Sequence, residues 1–382
     1  MADVLKLAAR QAGAFLAMRS RLWPMVPQGR ALVLRYHRIA GGSHLHFAHG
    51  GHVPNEDLTP LPPLALPAVE FDAQLAFLAS RCQVVTAGEI AKAVAAGQPL
   101  PPNAVAITFD DGYEDNCSQA LPLLRSHGLR ATFFVTAGWI GTEKVLWWDR
   151  LHDYIGQAAK LGARPMDYED LPKPLAAADL RTRAGAARLE HDLVKALGGL
   201  TLTPEETDNL VERVAAALGA DVAEPEPYRP MTWDQVRELR DAGMEIGSHS
   251  VSHARLACVP AERAFGELEQ SKQTIERELD ATVSLLAYPA GSHSQDAVDL
   301  AQEAGYAAAF TTASGPVAPG DDPFRLRRIG VWAGGYRGVF SRFAPSVFGL
   351  QLGRLARRPI ENRVRFQPSE AHASTGLAPV GR

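Results

Sequence analysis

Apolar positions along this chain fall into short runs that alternate with helical stretches. Ala31–Tyr36 reads as a strand, and Phe71, Leu75, Phe77 and Leu78 mark a helix over Phe71–Ala79. A short apolar pair, Val84-Val85, precedes a helix near Glu89–Ala96. Asn103–Phe109 is a second strand, set off by Pro101-Pro102 before it and Asp110-Asp111-Gly112 after it. A helix at 117–127 leads to a strand over Ala131–Thr136. The rhythm returns later as helix 232–241, strand 244–248, helix 260–279, strand 283–288, helix 295–304 and strand 306–311. Such alternation is the mark of βα units on a parallel sheet. So many units in one span favour a distorted (β/α) barrel over a doubly wound sheet.

Three stretches break the pattern. Residues 150–228 are rich in Ala, Leu, Glu and Arg, with helical spacing at 176–197 and 204–218, and read as a helical insertion in a domain spanning 31–345. Residues 346–382 read as a disordered tail, for they become polar and lose periodicity. Residues 1–30 open on a basic amphipathic helix carrying Lys6, Arg10, Arg19 and Arg21. It would pack on the side of the domain or lie peripherally on a membrane surface. Its apolar core is interrupted, whereas a secretory signal needs roughly 7–15 uninterrupted apolar residues, so a cytoplasmic or inner-face location is expected.

Composition adds little to this. The chain has 382 residues, is 46% hydrophobic and has a formal net charge of -4, which gives no basic excess for nucleic acid. Cys82, Cys117 and Cys258 are too few and too scattered for a disulfide framework.

The chemistry gathers past strand ends, where βα folds assemble their sites. Thr108-Phe109-Asp110-Asp111-Gly112 places two carboxylates there, one able to ligate a metal while the other handles a proton. Ser248-His249-Ser250-Val251-Ser252-His253 follows another strand; its histidines are spaced i, i+4, as if on one helical face. Two His and one carboxylate with open positions suit Zn²⁺ or Fe²⁺. His44, His46, His49 and His52 sit in a Gly-rich stretch without carboxylates and read as a surface loop. Trp147, Trp148 and Trp233 are either sugar-stacking faces or core.

TFDDG, SHSxxH and Tyr288-Pro289-Ala290-Gly291 resemble, in order, the first three motifs of the polysaccharide deacetylase (NodB-homology, carbohydrate esterase 4-like) family, over about residues 30–335. The resemblance implies a distorted (β/α) barrel and a metal-dependent hydrolase, with Zn²⁺ the expected cation, that removes N-acetyl groups from an amino sugar or polysaccharide. It implies Asp110 as general base, Asp111, His249 and His253 as metal ligands, and the Ala290 N–H as oxyanion donor beside Tyr288. Two departures stand out. Ala287 occupies the place where many members carry an Arg that steadies the base, leaving Arg327, Arg328 or Arg38 as substitutes. The late Leu-x-x-His of the family is missing after residue 311, but Leu34-Arg35-Tyr36-His37 has that form. This resembles the rearranged deacetylases of β-1,6-linked poly-N-acetylglucosamine, and implies His37 as general acid and Leu34 as a wall of the acetyl pocket. A catalytically weak carbohydrate-binding relative and an O-acetyl esterase remain the alternatives.

Overall fold

A computed structural model describes residues 26–41, 65–162, 179–199, 202–220, 228–332, 336 and 343–358. The expected N-terminal helix, the histidine loop at 44–52 and the chain beyond 358 lie outside these residues. The strands are β1 (Ala31–Tyr36), β2 (Arg38–Ala40), β3 (Ala65–Pro67), β4 (Gln83–Val85), β5 (Ala104–Phe109), β6 (Thr132–Val135), β7 (Glu245–Ser248), β8 (Leu285–Ala287), β9 (Ala308–Phe310) and β10 (Ile329–Gly330). Helices α1 (Ala68–Arg81), α2 (Ala87–Ala95) and α3 (Leu121–Ser126) belong to the first half. α4 (Trp147–Leu161), α5 (Arg183–Gly199) and α6 (Pro204–Leu218) form the insertion. α7 (Trp233–Asp241), α8 (Ala261–Leu279), α9 (Gln295–Glu303) and α10 (Pro345–Ala356) complete the chain.

The main sheet is parallel in the order β10-β1-β5-β6-β7-β8-β9, with β4 also on β5. It curls into the expected distorted (β/α) barrel. Closure is made by a short segment rather than a full strand. Leu326 bridges Phe310 of β9, and three positions on Ile329 pairs with Leu34 of β1. The first strand thus lies between β5 and the last segment of the barrel.

Strand alternation sorts the side chains into two cores. Ala31, Val33, Ala104, Ala106, Ala287 and Phe310 point into the barrel. Leu32, Leu34, Val105, Ile107, Leu286 and Tyr288 point outward, beneath the helices. On that outer side Tyr36, Phe109 and Phe133 stack in a row, with ring centroids 5.5 and 4.8 Å apart. They are also register partners across β1, β5 and β6. The row fixes the strand ends, and so places the residues that leave them, His37 and Asp110, side by side.

The helices follow from local signals. α1 buries Phe71, Leu75 and Leu78 on one face. α2, α6 and α7 each begin with a Thr capping box, at Thr86, Thr203 and Thr232. The insertion has its own core, with Leu151, Tyr154 and Ile155 of α4 against Leu189, Leu193, Val211 and Val214. The first part of the tail expected from residue 346 is ordered as a helix. Pro345–Ala356 is helical because Phe348, Leu352 and Ala356 form an apolar stripe, Phe348 meeting Phe77 and Tyr336 at 5.6 and 4.8 Å.

Candidate active site

Asp111, His249 and His253 leave β5 and β7 from different loops, yet their nearest ligand atoms all lie within 4.8 Å of one another. Asp111 Oδ1 is 3.4 Å from His249 Nε2 and 3.5 Å from His253 Nε2. The helical face expected for the two histidines does not exist. Residues 249–253 form an irregular loop in which Ser250 and His253 take φ values of 64° and 59°. The rings converge because the backbone turns sharply between them. Asp111 and Ala290, at φ 77° and 52°, share this left-handed conformation. Of six such non-glycine residues among those described, four therefore stand at one site, where the fold must over-determine a costly backbone.

The surroundings supply that constraint. Buried Glu267 of α8 accepts the backbone N–H groups of Val251 and Ser252 at 2.9 and 2.8 Å and the Ser252 hydroxyl as well. Ala137 and Gly138 donate to the carbonyls of Ser250 and Val251, at 3.0 and 2.9 Å. A Cβ on Gly138 would come within 2.8 Å of the Val251 carbonyl oxygen, so only glycine allows the approach. His249 Nδ1 donates to the Ala287 carbonyl at 2.7 Å, which turns Nε2 toward Asp111. The Trp148 ring lies 4.7 Å from that of His253, and its indole donates to Tyr113, which donates to buried Asp149. Glu267, Gly138 and Trp148 support the site without belonging to any motif that marked it. Of these only Trp148 is singled out by the sequence, as a sugar-stacking face or a core aromatic.

Asp110 is held differently. Arg328 donates to both its oxygens, at 2.6 and 2.7 Å, and to the Thr311 carbonyl at 3.0 Å. Both partners are buried. Burial opposes the charge on Asp110, but Arg328, helped by His249 and His37, outweighs it and keeps the carboxyl well below the usual carboxylate range. The three substitutes for the missing Arg are thereby separated. Leu326 and Arg328 face inward by alternation, whereas Arg327 pairs with Asp321 and Arg38 with Asp115.

A cavity of about 750 Å³ opens over these groups, with Arg35, His37, Asp110, Asp111, His249, His253 and Ala290 in its lining. Arg35 escaped the sequence reading; two positions before His37 on β1, it shares that inward face. Burial lowers its guanidinium to about 10, with Arg328 adding to the effect. His37 is lowered to about 4, by burial first, and only partly restored by Asp111. Leu34 and Tyr288 were expected at the acyl pocket and do not line the cavity. Each sits on the outer face of its strand, one step out of phase with Arg35 and Ala287, and packs in the outer core. Cys117 lies 3.5 Å from a Glu238 oxygen and is pushed up to about 12 by burial and that carboxylate, which leaves it inert as a nucleophile.

The donor set fits a divalent cation. Both oxygens of Asp111 are buried and have no hydrogen-bond donor. A buried carboxylate in that state is costly unless something positive meets it, and its nearest neighbours are two imidazole nitrogens.

The family model described as polysaccharide deacetylase matches residues 97–309. A Bacillus subtilis protein named as a polysaccharide deacetylase, YxkH, is 20% identical over 316 residues, covering 82% of this chain and 76% of its own. Among solved structures, the Streptococcus pyogenes deacetylase PplD in complex with acetate is similar at a TM-score of 0.52 and 17% identity. The match covers 85% of this chain and 99% of that one. IcaB from Ammonifex degensii also gives a TM-score of 0.52 and 17% identity, over 87% of this chain and 99% of its own.

Proposed function

The chain belongs to the polysaccharide deacetylase family, and from that premise we propose that it is a metal-dependent hydrolase removing N-acetyl groups from an amino sugar or polysaccharide, with release of acetate. The observation that carries this is the Asp111, His249 and His253 cluster, buried but for the edge of His253, beside an ionised Asp110. Three protein ligands of this kind, with open positions, suit Zn²⁺, and Fe²⁺ accepts the same set. When bound, the cation supplies an acidified water, its pKa brought toward about 7, and polarises the acyl carbonyl.

The protein's own residues do the rest. Asp110 takes the proton as water adds to the acyl carbon, and Arg328 keeps that carboxylate ionised and oriented. The backbone N–H of Ala290, in its left-handed turn at the cavity wall, donates to the developing oxyanion; one such donor is worth about 3–4 kcal/mol. His37 protonates the departing amine, which leaves poorly as an anion. Its ring is neutral at rest, so it first takes a proton from solvent as negative charge builds on the substrate. It then passes that proton to the nitrogen, while Asp110 returns its own proton to water.

That neutral ring also favours a second reading, cleavage of O-acetyl esters, whose leaving group needs less help. Peripheral contact with the inner face of a membrane, through residues 1–26, completes the proposal and rests on their basic amphipathic pattern. Acetate release from chito-oligosaccharides and from an O-acetylated glycan, before and after chelation and with Zn²⁺ restored, tests the function. Silence on every N- and O-acetylated sugar with zinc present would end it.

A further inference from the structure

The cavity over the site is much larger than an acetamido group, and its two ends differ in chemistry. One end holds the Arg35, His37, Asp110 and Asp111 cluster with the two histidines. On the side of the insertion the wall is mainly aliphatic and aromatic, with Val145, Leu146, Trp147, Val194, Leu197 and Leu202 from α4, α5 and the residues flanking α4 and α6, and Lys144 and Thr207 among them. Leu146, Trp147, Val194 and Leu202 are only half-buried, so apolar surface left over from the insertion's own core lines the space. Glu205 and Asp208 border the same wall but are engaged by Arg263 and Arg150.

This wall is a poor match for a bare glycan. Sugar hydroxyls held against valine and leucine lose their hydrogen bonds to water and gain none in return. An aromatic face takes the apolar side of a pyranose, but five of these six apolar side chains are aliphatic and only Trp147 offers such a face. Hydrocarbon is what such a wall stabilises, and it is continuous with the reacting groups.

We infer that the substrate is an acetylated amino sugar bearing an apolar substituent, a glycolipid, with its sugar at the Asp111 end and its hydrocarbon along the insertion. This rests on the deacetylase reading and adds the substrate class to it. The insertion between β6 and β7 is then the specificity element of the enzyme.

The test uses methyl, butyl and hexyl β-glycosides of N-acetylglucosamine with the full-length, zinc-loaded protein. Acetate release gives kcat/KM, which rises by roughly fourfold for each methylene that reaches the wall, so the hexyl compound exceeds the methyl by at least tenfold. Val194→Asp and Leu202→Asp each bring that ratio toward one. The ratio is the readout, so a loss of folded protein does not mimic the effect. A flat series in the parent, or a preference for chitotriose over the hexyl glycoside, overturns the inference and leaves the deacetylase reading intact. Calorimetric binding of the same glycosides to Asp110→Asn needs no turnover. Steep chain-length dependence there, with no acetate from the parent, keeps the apolar wall and removes the deacetylase reading; a flat response removes the inference.

Discussion

Arg328 grips Asp110 through two parallel hydrogen bonds of 2.6 and 2.7 Å across a sequence separation of 218 residues. The pair joins the segment that closes the barrel to the strand that carries the proposed base. Its geometry is the bidentate fork that an arginine makes and a lysine cannot.

Arg328→Lys should therefore lower kcat by about 10- to 100-fold while zinc content stays at the parent level. Arg328→Met, which strands a buried carboxylate, should cost roughly 3–5 kcal/mol of stability. Denaturant unfolding and metal analysis together check both. Equal loss of zinc and of rate in Arg328→Lys would show that the arginine serves the metal cluster instead.

The same pair sets an acid limit. The folded carboxyl of Asp110 lies below its unfolded value near 3.9, so its contribution to stability is present above about pH 4 and is lost as pH falls below that. Between pH 5 and 2 the parent should lose stability more steeply than Asp110→Asn, which has no carboxylate to protonate there. Parallel unfolding curves would remove the linkage.

Adjacent carboxylates should separate by role. Asp110→Asn is expected to bind zinc like the parent and to lose most turnover, since an amide cannot take the proton. Asp111→Asn is expected to weaken zinc binding itself, because Asp111 is the only carboxylate in the cluster. Calorimetric zinc titration of both variants decides; matching affinities would mean the roles are wrongly divided.

Glu267 accepts the backbone N–H groups of Val251 and Ser252 and so holds the loop that carries His253. Glu267→Gln should weaken zinc binding by about 10- to 100-fold, as loss of an outer partner of a metal site commonly does. Circular dichroism should show the fold retained. An unchanged zinc affinity would reduce Glu267 to an ordinary loop anchor.

His37→Ala should impair N-deacetylation far more than hydrolysis of an aryl acetate, whose leaving group departs without a proton. Zinc content should not change. Equal losses on both substrates would point to a structural histidine.

Much of this protein was legible in the chain because it is written locally. Strand and helix periods carry the βα rhythm, and motif order marks Asp110, Asp111, His249 and His253. Capping residues such as Thr86 and Thr232 are local signals too, acting over three or four residues, but the apolar period read without them sets the first of these helices two residues late, at Glu89 rather than Ala87. Other features depend on contacts made across hundreds of residues. Which arginine meets Asp110 was open among three, and strand alternation at the barrel's closing segment selected Arg328. Leu34 matched a motif, yet the period of two turns it into the outer core while Arg35 and His37 face the cavity. The histidines matched a helical spacing, but it is a left-handed loop, tied to Glu267 and to residues 137–138, that brings them together. Periodicity fixes which face a side chain takes relative to its neighbours; only closure of the barrel decides which of those faces becomes the inside.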